Sequence, residues 1–347
     1  MLVGRGVVRQ LPELVSERSR QAVVVGDRAA ERFVNSVVDL LQRAGITTSL
    51  VNLHGGEGAK SFAGLRGVLE FLEGAGLDRS GCVVAVGGGS IGDLAGFAAA
   101  VWMRGVAYFQ VPTTLLAMVD SSIGGKTAIN TDRSKNAVGA FWQPAAVVAD
   151  LDSLETLPPE EFRSAFGEIV KYAMAMDREL FDTLSRGGER LRRRDWQALE
   201  TVVARCAACK AGVVASDEFD RAGVRAVLNY GHTAGHALEV ASGYRVPHGV
   251  AISHGMRVAA AIGARMLLCD RELASEQDRL LAAFGLPGGA VATPLESVLE
   301  ALPRDKKSES GRPRWVLPRA IGRAEAGHDV PPEVLREALT DVLSAPL

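Results

Sequence analysis

Residues 82–102 read CVVAVGGGSIGDLAGFAAAVW, and this stretch decides the fold. Residues 82–86 are apolar and mostly β-branched, which suits a strand buried on both faces. Three glycines break the run, and 94–102 continue as an apolar, Ala-rich helix. Strand, glycine turn and helix in that order are one unit of a parallel α/β layer.

The turn also carries chemistry. Glycines let backbone N–H groups approach a phosphate closely, and a helix N-terminus adds partial positive charge. Gly87-Gly88-Gly89-Ser90-Ile91-Gly92-Asp93 matches G-x-G-x-x-G literally. Two features separate it from the usual dinucleotide fingerprint. No Asp or Glu stands between Asp93 and Asp120, where the ribose-binding acid is expected, and the turn follows a third strand rather than the first. The alternative is a tight turn whose glycines supply positive φ. On the phosphate reading, Gly88, Gly89, Ser90, Ile91, Gly92 and Asp93 cradle a pyrophosphate. Adenosine then falls to earlier loops, Gly26-Asp27 or Gly56-Glu57-Gly58-Ala59-Lys60.

The same alternation recurs on either side. Strands are expected at 22–25, 48–53, 108–111 and 147–150, with helices ending near 44 and covering 61–74. After Leu157-Pro158-Pro159 helical periods take over, at 160–186, 195–215, 229–241, 249–284, 293–302 and 332–344. One strand-like run, 314–317, follows the Gly311/Pro313 turn. The expectation is an α/β N-terminal Rossmann-like domain over 1–157 and an all-α, or mainly helical, C-terminal domain over 158–347. The active site is expected in the cleft between them.

Composition narrows the function. The chain has 347 residues, 47% hydrophobic and 23% charged, as in a globular enzyme of two domains. A net charge of −2, from 39 basic and 41 acidic residues, gives no electrostatic case for nucleic acid or a membrane surface. The run Arg190, Arg192, Arg193 and Arg194 reads as a solvated helix face. Four cysteines do not make a disulfide framework, and the lone Cys206-x-x-Cys209 reads as packed helix thiols. Neither a signal-peptide pattern nor a membrane span is found, so a cytoplasmic protein is expected.

Two further segments carry reactive side chains. Glu168 and Lys171 stand three apart in an apolar helical pattern and share one face. His232 and His236 stand at i, i+4, and His248 follows at an expected helix start. Three of the six histidines thus fall within 17 residues. With Glu168 they suit a mixed imidazole and carboxylate site with an open position, the chemistry of catalytic Zn²⁺. Spacing alone does not say which histidines ligate. The stretch from Asp120 to Asn130 contains Gly125-Lys126-Thr127, but the first glycine of a Walker A loop falls on Asp120, which disfavours ATP. Its lysine and asparagine, with Lys135-Asn136 further on, Arg104 and the loop Arg304-Asp305-Lys306-Lys307, suit an anionic substrate.

Together these segments resemble the 3-dehydroquinate synthase family of sugar-phosphate cyclases over about 22–324. The strongest stretches are GGGSIGDLAGF, RGVAYFQVPTTLLAMVDSSIGGKTAIN, KNAVGAFWQP, GEIVKYA, LNYGHTAGHA and RDKK. The resemblance implies that Glu168, His232 and His248 bind Zn²⁺ or Co²⁺, and that His236 contacts substrate instead. It places Asp120, Lys126, Lys171, Lys210, Arg225, Asn136, Asn229, Lys306 and Lys307 in the substrate pocket. NAD falls to Asp27, Glu57, Lys60, the 88–93 turn, Thr113, Thr114, Lys126, Lys135 and Thr156. Arg104 matches an arginine that reaches the neighbouring subunit's phosphate site, which implies a homodimer.

The chemistry so implied starts from 3-deoxy-D-arabino-heptulosonate 7-phosphate. A hydroxyl is transiently oxidised by NAD⁺, phosphate leaves by β-elimination, the ketone is reduced again, and an intramolecular aldol closes the carbocycle. The net reaction is a lyase step yielding 3-dehydroquinate. Four departures stand against the family pattern: Val250 for a glutamate, Asp220 for a glutamate with one extra residue before Arg225, Gly55 for an aspartate, and Ser90 for a valine. Val250 and Asp220 motivate an alternative, a related cyclase of secondary metabolism such as an aminodehydroquinate or cyclitol synthase. Retained Lys210 and Arg225 favour a carboxylated substrate. A metal-dependent alcohol or glycerol dehydrogenase and a catalytically silent paralogue complete the alternatives.

Overall fold

A computed structural model describes residues 1–132, 134–302 and 313–343. The chain divides into two compact units, Met1–Glu161 and Phe162–Leu347.

The first unit alternates strands and helices: β1 (Leu2–Gly4), α1 (Leu11–Ser16), β2 (Gln21–Asp27), α2 (Glu31–Arg43), β3 (Thr47–Leu53), α3 (Phe62–Gly74), β4 (Cys82–Gly87), α4 (Gly89–Val101) and β5 (Ala107–Pro112). A hairpin, β6 (Lys126–Thr131) and β7 (Ser134–Phe141), precedes β8 (Ala146–Asp150). Six strands form one parallel sheet in the order β1-β8-β5-β4-β2-β3. Successive side chains on a strand face opposite ways. Accordingly Val23, Val25, Val83 and Ala85 join one core with Val68, Leu72, Leu94 and Ala98 of α3 and α4. Ala22, Val24, Cys82, Val84 and Val86 join another with Leu11, Val34, Val37 and Leu41 of α1 and α2. Covering on both faces is why these strands read as continuous apolar runs.

After β3 the chain returns to the other side of β2, so the strand order reverses between β2 and β4. Because all six strands are parallel, the residues after β2, β3, β4 and β5 lie along one edge of the sheet. A reversal of this kind opens a crevice beyond the carboxyl ends of the strands.

α5 (Pro159–Ser164) spans the division between the units. The second unit holds α6 (Phe166–Ala175), α7 (Arg178–Arg192), α8 (Trp196–Ser216), α9 (His232–Ala241), α10 (His248–Arg265), α11 (Arg271–Ala283) and α12 (Leu295–Ala301). A hairpin of β9 (Trp315–Ala320) and β10 (Arg323–His328) and then α13 (Pro332–Leu343) complete it. The unit is thus helical apart from this hairpin, which grows from the strand-like run expected at 314–317. Every residue of α6 is buried, and Phe166 stacks on Phe284 at 4.3 Å between centroids.

Two long helical periods are interrupted. The one expected at 160–186 breaks before Asp177, whose carboxylate caps α7 by accepting from the Leu180 N–H at 3.0 Å. The one at 249–284 breaks after Arg265, where Leu267 takes a positive φ of 56°. The β6–β7 hairpin escapes sequence reading because its residues are small and polar. It is ordered by burial of Thr127, Ala128 and Ile129. In the arginine run, Arg190 pairs with Asp195 and Arg193 with Glu189, while Arg194 lies over the Phe162 ring. Cys206 and Cys209 are free thiols on α8.

Candidate dinucleotide and metal sites

In the first unit, the turn after β4 is built by close approach rather than by positive φ. None of Gly87, Gly88, Gly89 and Gly92 has a positive φ, which answers the tight-turn alternative. A Cβ on Gly89 would lie 2.6 Å from Ser121 Oγ, and one on Gly88 3.2 Å from Thr114 Cγ2. α4 starts at Gly89, and its N-cap, Gly88, supplies no side-chain hydrogen bond to the first N–H groups of the helix. A helix N-terminus without a side-chain cap, reached by closely approaching glycines, has the polarity an anion needs.

Polar residues gather along the same sheet edge. The Asp27 carboxylate ends β2, buried, accepting from the Ala29 and Gly55 N–H groups at 3.0 and 3.2 Å. A Cβ at position 55 would meet Asp27 Oδ2 at 2.2 Å, so the glycine found there in place of an aspartate lets the loop close on this carboxylate without displacing it. Ser90 Oγ accepts from the Gly56 N–H at 2.9 Å, tying the loop to the turn. Lys60 is 3% exposed; its ammonium donates to Asp93 at 2.7 Å and to Asn136 Oδ1. Thr113 donates its N–H to the Gly87 carbonyl at 2.9 Å. Of the other expected site residues in this unit, Lys126 and Arg104 are exposed, Asp120 and Lys135 half-buried, and Thr156 exposed in the turn Leu151–Thr156. Lys306 and Lys307 lie outside the described residues.

In the second unit, Glu168, His232 and His248 offer one donor atom each, all within 4.8 Å of one another. Glu168 lies in the first turn of α6 and is fully buried, paired with the buried Lys171. Its Oε1 stands 3.2 Å from His232 Nε2 and 3.3 Å from His248 Nε2. His232 opens α9 after Gly231, whose φ is +79°, and His248 opens α10 after Pro247.

Glycines let three helices approach closely enough for this meeting. A Cβ on Gly249 would lie 1.7 Å from the Ser164 carbonyl oxygen, one on Gly167 2.4 Å from that of Gly249, and one on Gly255 1.8 Å from that of Gly231. Each of these neighbours is backbone, so side-chain rotation gives no relief.

The donor set fits a metal ion. Each imidazole has its Nδ1 near an acceptor, Tyr230 O at 3.2 Å for His232 and Glu239 Oε2 at 3.3 Å for His248. Protons there turn both Nε2 lone pairs toward Glu168 Oε1, itself an acceptor. Neither Glu168 oxygen receives a well-directed hydrogen bond, although Lys171 supplies an ion pair. Acceptors facing acceptors in a buried site need a cation between them. Charges reflect the same demand. Burial raises the Glu168 pKa, but Lys171 and His232 outweigh it and hold the carboxyl well below its usual range. Burial lowers that of His248, but the carboxylates of Glu168 and Glu239 push it up to about 10, so a proton substitutes where no stronger cation is held.

A cavity of about 380 Å³ opens beside this cluster, its lining including Asn229, His232, Thr233, His236 and Arg314. His236 is exposed and forms part of that lining. Desolvation and the rings of His232 and His248 push its pKa down to about 3, leaving it neutral near pH 7. Lys210 and Arg225 are buried and do not appear in the cavity lining; Arg225 Nη1 donates to the Glu218 carbonyl at 3.0 Å. Sequence reasoning missed Glu239 and Arg314. Glu239 carries a findable signal, since it lies seven residues after His232, two helical turns along the same face. Arg314 reaches the cavity through the hairpin and carries none.

A family model described as 3-dehydroquinate synthase N-terminal matches residues 50–164, and one described as 3-dehydroquinate synthase C-terminal matches 165–308. A 3-dehydroquinate synthase of Syntrophotalea carbinolica is 42% identical over 342 residues, covering 97% of this chain and 94% of its own. Among solved structures, a 2-deoxy-scyllo-inosose synthase complexed with carbaglucose-6-phosphate, NAD⁺ and Co²⁺ is similar with a TM-score of 0.90 at 26% identity, covering 99% and 96% of the two chains. The 2-epi-5-epi-valiolone synthase of Streptomyces hygroscopicus, with NAD⁺ and Zn²⁺ bound, gives 0.88 at 25% identity, covering 98% and 94%.

Proposed function

The chain belongs to the 3-dehydroquinate synthase family, and from this premise we propose that it converts 3-deoxy-D-arabino-heptulosonate 7-phosphate to 3-dehydroquinate and phosphate. The observation that carries the reading is the meeting of Glu168, His232 and His248 within 4.8 Å in a chain of this family.

Glu168, His232 and His248 hold Zn²⁺ or Co²⁺, and the cradle at Gly88 and Gly89 holds the pyrophosphate of NAD. When bound, NAD supplies reversible hydride transfer and the metal ion supplies Lewis acidity. Asp27, Glu57, Lys60, Asp93, Thr113, Thr114 and Lys135 orient the dinucleotide. Glu239 keeps His248 in the tautomer that turns Nε2 inward. His236, neutral and open to the cavity, accepts a hydrogen bond from a substrate hydroxyl at its free ring nitrogen. Asn229 supplies a hydrogen bond to substrate from the cavity wall. Lys171 lends positive charge beside Glu168, and Asp120, Lys126, Asn136, Lys210 and Arg225 complete recognition of a phosphorylated sugar acid.

The enzyme acts as a cytoplasmic lyase and a homodimer in which Arg104 serves the neighbouring site. Its exposure at a left-handed turn beside exposed Val101 and Met103 supports that role. Full-length protein supplied with NAD⁺ and Zn²⁺ or Co²⁺ is expected to release one phosphate and form one dehydroquinate per substrate, without net NADH. No phosphate release from the heptulosonate phosphate, or NADH accumulating with a simple alcohol, overturns the reading. A carbocycle formed only from carboxylate-free sugar phosphates transfers the assignment to a cyclase of secondary metabolism.

A further inference from the structure

Asn130 takes no part in the proposed chemistry, yet it is the joint where several of the dinucleotide and substrate residues meet. It lies in β6, half-buried. Its Nδ2 donates to the Glu57 carboxylate at 2.7 Å, and its Oδ1 accepts the Asn136 N–H at 2.8 Å. Its own backbone N–H donates to the Lys60 carbonyl at 2.8 Å. Asn136 in turn sits in the left-handed region, with φ at +51°, and its Oδ1 accepts from the Lys60 ammonium. Lys60 also reaches Asp93 in the first turns of α4. The side-chain amide therefore fastens the Glu57 end of the Glu57–Lys60 turn to the strained backbone at Asn136, while the backbone N–H of the same residue holds the Lys60 end.

The chemistry of that position is restrictive. It needs a donor toward a carboxylate and an acceptor toward a backbone N–H on one rigid group, which a primary amide provides. A carboxylate there keeps the acceptor but faces Glu57 with like charge. An aliphatic residue loses both bonds and leaves the left-handed turn at Asn136 without its restraint.

We propose that Asn130 is a positioning residue: it sets Glu57 and Lys60 for the dinucleotide and Asn136 for the substrate, so that occupancy of one favours the other. This rests on the proposed NAD-dependent function. The experiment is NAD⁺ titration of the full chain by calorimetry, with steady-state kinetics and thermal midpoints, for the parent, N130D, E57Q and N130D/E57Q. N130D is expected to weaken NAD⁺ at least about 10-fold and raise the substrate KM more than it lowers kcat. In the double variant the donor and acceptor exchange places. The amide introduced at position 57 donates to the carboxylate introduced at position 130, which still accepts the Asn136 N–H. The double variant is therefore expected to bind NAD⁺ within about 3-fold of E57Q. A purely structural role instead makes the NAD⁺ affinity follow the thermal midpoint, so that N130D held well below its midpoint binds like the parent. Unchanged binding in N130D, or additive losses in the double variant, overturns the proposal. Should N130D not fold, N130S, which can make one of the two bonds but not both, is expected to lose about 3-fold or more, and parent-like binding overturns the proposal equally. A parent that binds no NAD⁺ refutes instead the function on which the proposal rests.

Discussion

Replacing Gly249 with alanine tests how the metal ligands are brought together. The added Cβ would lie 1.7 Å from the Ser164 carbonyl oxygen and 2.6 Å from its carbon. Ordinary contact begins near 3.4 Å, so the start of α10 must withdraw from the end of α5 by about 1.7 Å. His248 precedes Gly249 directly and moves with it. Metal–ligand distances tolerate about 0.2 Å, roughly an eighth of that displacement. Gly249→Ala is therefore expected to weaken Zn²⁺ by at least about 100-fold, beyond the loss typical of removing a supporting hydrogen bond. Overpacking adds a destabilisation of about 1–3 kcal/mol. The assay is Zn²⁺ competition against a chromogenic chelator, with urea denaturation in parallel. Gly212→Ala is the control: it lies in α8 with nothing within 4 Å of its Cβ, and is expected to stabilise by about 0.5–1 kcal/mol without touching metal affinity. A G249A protein that holds Zn²⁺ within about threefold of the parent and keeps its denaturation midpoint would refute the reasoning.

Two predictions concern stability. His254, 6% exposed on α10, has its Nδ1 buried without a hydrogen-bond partner, and burial followed by the Arg257 charge pushes its pKa down to about 4. The unfolded chain takes up this proton below about pH 6.5 and the folded chain only near 4, so stability falls as pH drops through that window. Between pH 7.5 and 5 the parent is expected to lose about 2 kcal/mol more than His254→Leu in urea titrations; equal slopes count against it. Asp177 caps α7 and pairs with Arg205 at 2.8 Å. Asp177→Asn keeps the cap but not the charge and is expected to cost up to about 1 kcal/mol, while Asp177→Ala adds about 1 kcal/mol for the lost cap. Equal midpoints for the two variants would show that the cap contributes nothing.

Much of the architecture was legible because burial on both faces leaves a direct imprint on sequence. β2 and β4 read as apolar runs since each alternate residue meets a different helical layer. The β6–β7 hairpin left no such imprint, because small polar residues acquire strand geometry only when α4 covers them. Helix boundaries at Asp177 and Leu267 were hidden by helical periodicity that continues across the breaks.

For the site, the sequence by itself established a glycine turn after a strand, an acid and a lysine on one helix face, and three histidines close along the chain. Its periodicity placed His232 and His236 together, since residues four apart share a helix face. Tertiary structure decided that His232 turns its Nε2 toward Glu168 and that His248, from the next helix, completes the trio. Periodicity describes the faces of one element, whereas coordination depends on how near three separate backbones come. Here that distance is set by glycines whose role appears only when the helices are packed.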